Sequence, residues 1–227
     1  YTGRLSFALR LGGFAGPWLA GLAWHNYGPE TGFFVIAGWI AALDVNRWVL
    51  MGIINLFLLF AGFETTVNLL GNGITLLLNH PNQLADLQAD PALWPNAVEE
   101  ILRFDSPVQL TGRVARTDTT VAGTSISAGE LVVIYLAAAN RDPAVFDDPH
   151  RFDIRRSNAG RHLAFSGGRH FCLGAALARA EGEAGLRRFF THYPDAQLAG
   201  AGCRRDTRVL RGWAELPVRL GSAVRVA

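Results

Sequence analysis

The chain has 227 residues, half of them hydrophobic, with 21 basic and 19 acidic side chains and a formal net charge of +2; that much apolar chain builds one sizeable core or two small domains. Every basic residue other than histidine is arginine, which excludes Schiff-base and phosphate-loop lysine chemistry, and two cysteines exclude a disulfide framework and fit a reducing cytoplasm. No Cys/His cluster has zinc spacing, no internal repeat is present, and the arginines lack the interleaved aromatics of nucleic-acid binders, so nucleic acid is not an expected partner.

Residues 1–47 carry two apolar runs, 11–21 and 33–43, the first spaced with glycine. Small residues at such spacing let helices approach closely in a membrane, yet each run is shorter than the ~20 residues a span needs. Residues 11–43 keep membrane association open as the alternative to a cytoplasmic location. Residues 1–47 are set apart as a hydrophobic N-terminal segment of unclear origin, before a domain over 48–227.

From Trp48 the sequence is apolar almost all round as far as Pro81, which predicts a long buried helix over 48–80. In its middle stands Ala61-Gly62-Phe63-Glu64-Thr65-Thr66, where an acid and a hydroxyl are costly to bury without partners. Shorter helices are expected over 82–89 and 94–105, and the second places Glu100 and Arg103 on one face, three residues apart. β-Branched residues between Gly and Pro breaks predict short strands at 119–121, 131–135 and 216–220. Residues 139–153 read as a turn-rich meander.

The most informative stretch is Phe165-Ser166-Gly167-Gly168-Arg169-His170-Phe171-Cys172-Leu173-Gly174, followed by a helical run expected over 173–192. Backbone N–H groups turned toward a sulfur, together with a helix N-terminus, favour the thiolate. The glycines permit a tight backbone path and close approach. Phe165 and Phe171 supply apolar cover, while Arg169 and His170 can reach an anionic cofactor edge. Cys203, beside Arg204 and Arg205, reads as a loop thiol.

This loop resembles that of the cytochrome P-450 family, the haem-thiolate monooxygenases, whose pattern is filled by Phe165, Gly168, His170, Cys172 and Gly174; the 61–66 stretch, the Glu100/Arg103 pair and the meander follow the family's order. The match, of bacterial type, runs from about Val49 to Leu220 and leaves residues 1–47 outside it. The resemblance implies a mainly α fold with small β-sheets, corresponding to the C-terminal half of the cytochrome P-450 fold. It implies haem b (iron protoporphyrin IX) with Cys172 as the metal ligand, Arg113, His170 and His162 toward its propionates, and Ala61, Phe165 and Gly174 around it. Glu64 and Thr65 are then catalytic, delivering protons to dioxygen, and Glu100, Arg103 and Arg151 form a buried structural network.

The implied reaction inserts one atom of O2 into a C–H bond of a small hydrophobic organic substrate and reduces the other to water, with electrons from a donor such as a ferredoxin with its reductase. Arg179, Arg187 and Arg188 would steer an acidic donor, or else form an ordinary solvated helix face. Because residues 1–47 do not supply what the family carries before its central helix, the alternative is a truncated, non-catalytic haem-binding remnant or a membrane-associated fusion.

Overall fold

The structure, a computed structural model, describes residues 29–222; the apolar run 11–21 lies outside the described residues. It is mainly α with small β-sheets, as the sequence leads one to expect. Helix α1 (Pro29–Asn79) is followed by α2 (Pro81–Ala89), a 3-10 turn (Pro91–Leu93) and α3 (Trp94–Phe104). Prolines punctuate this series: Pro81 and Pro91 stand in the first turns of α2 and of the 3-10 turn, where a missing N–H costs nothing. Asp90 caps the 3-10 turn through its Oδ1, 3.1 Å from the Ala92 N–H.

Helix α1 begins earlier than expected and runs unbroken through residues 47 and 48. The chain divides into two compact units, Tyr1–Ala61 and Gly62–Ala227. In the first, Val49, Leu50, Ile53, Leu59 and Phe60 are exposed, and Phe63 at the start of the second is 68% exposed. The expected all-round burial over 48–80 is therefore corrected: α1 enters the core only from Asn68 onward, because that is where other elements of the second unit pack on it. Its span from Val49 to Asn79 is long and apolar enough to cross a membrane by length and composition, with mean hydropathy 1.7, but a core helix passes the same test.

The core of the second unit gathers Leu69 and Leu77 of α1, Leu87 of α2, Trp94 and Ile101 of α3, and Leu186 and Phe190 of α5 (Ala175–His192). Each fully buried side chain of this kind is worth about 1.5–3 kcal/mol. Helices α1 and α5 meet through glycine. A Cβ on Gly182 would lie 3.0 Å from Leu69 Cδ2, one on Gly185 2.8 Å from Leu70 Cδ2, and one on Gly73 2.8 Å from Leu186 Cδ1. Leucines of each helix thus fill the gaps left by glycines of the other.

Eight short strands form four two-stranded antiparallel sheets among the described residues. Strands β1 (Leu110–Val114) and β4 (Leu131–Tyr135) pair with Leu110 opposite Tyr135, and β2 (Thr119–Val121) pairs with β3 (Thr124–Ile126). A one-turn helix α4 (Leu136–Ala139) follows β4. Beyond α5, β5 (Gln197–Leu198) pairs with β8 (Val218–Arg219), and β6 (Cys203–Arg204) with β7 (Trp213–Glu215). The strand expected at 216–220 is β8, shorter than predicted.

The β6–β7 hairpin is bolted to α1 and α3 by charge. Arg204 donates to Asn72 Oδ1 (2.6 Å) and Asp105 Oδ2 (2.7 Å), and Arg211 donates to Asp105 Oδ1 (2.7 Å). The Arg204 guanidinium also lies 3.8 Å over the Trp213 ring. Gly212 packs so tightly on buried Asn68 that a Cβ there would fall 1.8 Å from Asn68 Oδ1. Gly212→Ala must displace that amide, and overpacking of this kind costs about 1–3 kcal/mol; the expected result is a lower urea midpoint with an unchanged m-value.

Candidate functional site

The loop before α5 is shaped by its own hydrogen bonds. Ser166 N–H donates to Leu163 O (2.8 Å), Phe171 N–H to Gly168 O (3.1 Å), Cys172 N–H to Phe165 O (3.0 Å), and Ala175 N–H to Cys172 O (3.3 Å). Between them, Gly168–His170 makes one 3-10 turn. Ser166 and Gly168 both take left-handed backbone, φ 61° and 60°, so of the loop's glycines Gly168 is the one whose conformation favours glycine outright. A Cβ on Gly174 would sit 4.0 Å from Cys172 Sγ, ordinary contact, and one on Gly167 would meet open space.

The loop ends by holding an exposed, free thiol at Cys172. Phe171, Leu173 and Leu177 around it are 55%, 91% and 63% exposed, and Leu163 is exposed as well. Phe165 does not join this rim: it is buried, and its ring packs beneath the loop, edge-on to Phe171 at 6.4 Å. Arg113 of β1 reaches the loop, donating to Ser166 Oγ (3.3 Å) as well as to Thr111 Oγ1 (2.8 Å) and Gly112 O (2.7 Å). His170 and Arg169 are exposed in the 3-10 turn.

No group of three or more His, Cys, Asp or Glu that could hold a metal ion occurs among the described residues. One sulfur in an apolar, solvent-open rim therefore suits a metal that brings its own equatorial ligands, as haem iron does. Large exposed apolar patches generally mark binding surfaces. Cys172, Arg113, His170 and the Phe171/Leu173/Leu177 rim fit a flat, apolar group with an anionic edge.

His162 is placed elsewhere, which corrects its expected propionate role. Its side chain is 1% exposed, with Nε2 3.0 Å from Glu99 Oε2. The same carboxylate takes Arg179 in a fork, Nε to Oε1 at 2.5 Å and Nη2 to Oε2 at 3.1 Å. Arg179 is thus drawn inward rather than left in a basic face with Arg187 and Arg188. Burial would push the Glu99 carboxyl up, but hydrogen bonds and charge from His162 and Arg179 outweigh it and hold the group down at about 2. The Glu99 bond in turn raises Arg179.

A depressed carboxylate stabilises the fold at pH above its unfolded value of 4.5, and that contribution is lost as pH falls through about 2. Far-UV dichroism of the chain against pH is expected to show an acid transition component in that window. Glu99→Gln removes it.

Glu100 and Arg103 form a buried ion pair. Arg103 Nε lies 2.6 Å from Glu100 Oε2 and Nη2 2.8 Å from Oε1, and both side chains are 0% exposed. Arg103 also donates to the carbonyls of Asn140 (2.9 Å), Pro149 (2.9 Å) and Arg151 (3.2 Å). The expectation for Arg151 is corrected: its side chain is 66% exposed and pairs with Asp153, and only its carbonyl joins the network. The third charged member is Arg156, 9% exposed, whose Nε lies 3.3 Å from Glu100 Oε1. Two arginines five positions apart, one in the meander and one just after it, look alike in sequence; the turn between them decides which points inward.

On α1, Glu64 pairs with Arg205 at 2.9 Å, both side chains about two-fifths exposed. Thr65 is half-buried, Ala61 is exposed, and Thr66 Oγ1 donates to Glu181 Oε2 of α5 at 3.0 Å. Sequence reasoning missed Arg205, Arg156 and Glu99. Each meets its partner across 56 to 141 residues, or joins through a loop, with no spacing signal to mark it.

Comparison with known proteins places these residues in context. The family model described as Cytochrome P450 matches residues 53–194. A Mycobacterium tuberculosis protein carrying the name cytochrome P450 140 is 75% identical over 165 residues, 73% of this chain and 38% of its own length. The 6-deoxyerythronolide B hydroxylase of Saccharopolyspora erythraea is 48% identical over 170 residues, 74% of this chain and 42% of its own. The crystal structure of CYP109E1 from Bacillus megaterium with testosterone superimposes with TM-score 0.70 and 33% identity, over 86% of this chain and 51% of that one. The chain thus spans about two-fifths of the length of the curated relatives it matches.

Proposed function

Because this chain belongs to the cytochrome P450 family, we propose that it provides the thiolate, proton-handling part of a monooxygenase that inserts one atom of O2 into a C–H bond of a small hydrophobic substrate and reduces the other to water. The observation that carries this reading is the loop itself: a free, exposed Cys172 thiol held by the Cys172 N–H to Phe165 O bond and rimmed by exposed Phe171, Leu173 and Leu177. Relatives named for hydroxylating 6-deoxyerythronolide B and vitamin D(3) support hydroxylation as the reaction class.

Haem b, when bound, supplies the oxygen-activating redox chemistry, and a thiolate ligand favours O–O cleavage. The residues of the chain do the rest. Cys172 offers one sulfur from a backbone fixed by Phe165 O. Arg113, already oriented by Thr111 and Ser166, and exposed His170 would hold the propionate edge. Glu64, its carboxylate against Arg205, and the Thr65 hydroxyl would relay protons toward the haem face, and the small residues Ala61 and Gly62 would leave room there. A solvent-open ion pair of this kind is worth only about 0–1 kcal/mol, so it opens readily and suits a gate. Exposed Arg169, Arg187 and Arg188 suit an acidic electron donor such as a ferredoxin with its reductase. The free thiols Cys172 and Cys203 fit a cytoplasmic location, and the haem-binding part is assigned to 48–227.

The test is to load the full chain with haem, reduce it, add carbon monoxide and record the difference spectrum. A red-shifted, thiolate-type Soret band is expected. A blue-shifted band alone favours the second reading, a haem-binding remnant without oxygenase activity; exposure of the Cys172 rim is what keeps that reading in play.

A further inference from the structure

Glu99 and Glu100 are neighbours on α3, so their side chains leave the helix about 100° apart and serve different networks. Glu100 grips Arg103, Arg156 and the meander. Glu99 turns to the opposite partners, Arg179 on α5 and His162 just ahead of the cysteine loop. Both partners end on the same side chain. The Arg179 guanidinium lies 4.7 Å over the Phe165 ring, and the His162 ring is 5.6 Å from it. Phe165 is the residue whose carbonyl receives the Cys172 N–H.

We propose that Glu99 is a positioning residue for the thiolate loop, its carboxylate holding Arg179 and His162 against Phe165 and thereby fixing the backbone that presents Cys172. The proposal rests on the haem-thiolate reading of the same site. Its geometry is more specific than a staple between helices requires. The guanidinium is held in a two-point fork, which sets the plane of the group as well as its place. On the other side, the Ala164 N–H donates to His162 Nδ1 at 3.1 Å. One carboxylate therefore orients a cation and an imidazole on the same aromatic ring. Glu99 stays ionised through the ordinary pH range, held at about 2, so the arrangement persists wherever the protein works.

Outer partners that orient a metal ligand are typically worth about 10–100-fold in metal affinity or activity. The experiment titrates the full apo chain with haem and records the ferrous carbonmonoxy spectrum for the wild type, Glu99→Gln, Glu99→Asp and Arg179→Lys, with a urea midpoint for each. Glu99→Gln is expected to weaken haem binding by about tenfold and to move intensity from the red-shifted to the blue-shifted Soret band. Arg179→Lys keeps the charge but loses the fork and the stack, and is expected to do the same. Glu99→Asp keeps the charge on a shorter arm and recovers part of the red-shifted band.

Unchanged band ratio and affinity in Glu99→Gln and Arg179→Lys would overturn the proposal even if their urea midpoints fall, since a plain staple moves stability alone. If Glu99→Gln does not fold, Arg179→Lys, altered at a part-exposed side chain, decides. A wild type without the red-shifted band overturns the haem-thiolate reading and this proposal with it, whereas a normal wild type beside unaffected variants overturns only the role of Glu99.

Discussion

Replacing Cys172 with serine is expected to abolish the red-shifted carbonmonoxy Soret band completely while leaving the apo chain as stable as before. The two halves of that expectation come from different atoms. Ligation uses Sγ, which is exposed and free. The loop is held by the Cys172 N–H to Phe165 O, the Cys172 O to Ala175 N–H, and the Ser166 and Phe171 turns, all of them main chain. Serine keeps every one. An exposed side chain without packing partners typically changes stability by no more than about 0.5 kcal/mol, so the urea midpoints of the two chains should coincide. Cys203→Ser is the control. That thiol is also exposed and free, but its sulfur only approaches the adjacent Arg204 carbonyl at 3.5 Å, and its loss should leave the red-shifted band intact. If Cys172→Ser kept the band and Cys203→Ser lost it, the ligand assignment would move to the hairpin.

Arg103→Ala should have the largest effect on stability, a loss of about 3–5 kcal/mol, the usual consequence of stripping one partner from a buried pair. Against a typical domain stability of about 5–15 kcal/mol, that is enough to leave much of the chain unfolded at 37 °C. The reason lies in how fully the side chain is used. A guanidinium has five N–H donors, and those of Arg103 reach Glu100 twice and the carbonyls of Asn140, Pro149 and Arg151. Removing it strands Glu100, 0% exposed, with only Arg156 and the Asp153 N–H at 2.9 Å. Lysine should not rescue, since its ammonium offers three donors and no fork. Arg151→Ala, by contrast, should shift the urea midpoint hardly at all, because that residue contributes a carbonyl and its side chain is exposed. Equal losses from Arg103→Ala and Arg151→Ala would show that the meander is held by side chains after all.

Most of the helical frame was legible because local chemistry marks it. Prolines at 81, 91 and 95 start elements, and the helix after Gly174 follows the last glycine of the loop. The cysteine loop and the Glu100/Arg103 pair could be marked because their parts are close in sequence, and the family resemblance then implied what they do. The two-residue strands β5 and β6 could not: pairs that short have no period to read, and they exist because the chain returns to them from elsewhere. The exposed apolar side chains of α1 between Val49 and Phe63 were misjudged because composition reports that a surface is apolar and not what lies against it. Arg205, Arg156 and the partners of His162 were invisible for a related reason. A charged residue looks solvated until folding brings its counter-ion, and those ions sit many turns away along the chain.

The grip of Arg103 on carbonyl oxygens carries a consequence for how this protein can change over time. Arg156 grips the same way, taking the carbonyls of Asp147, Asp148 and Arg151 besides Glu100. A carbonyl is present whatever residue bears it. The exposed meander positions can therefore drift through many side chains without loosening their attachment, provided the backbone path survives. The two arginines and Glu100 have no such freedom, and mutational drift in this region should run through the gripped residues while sparing the ones that grip.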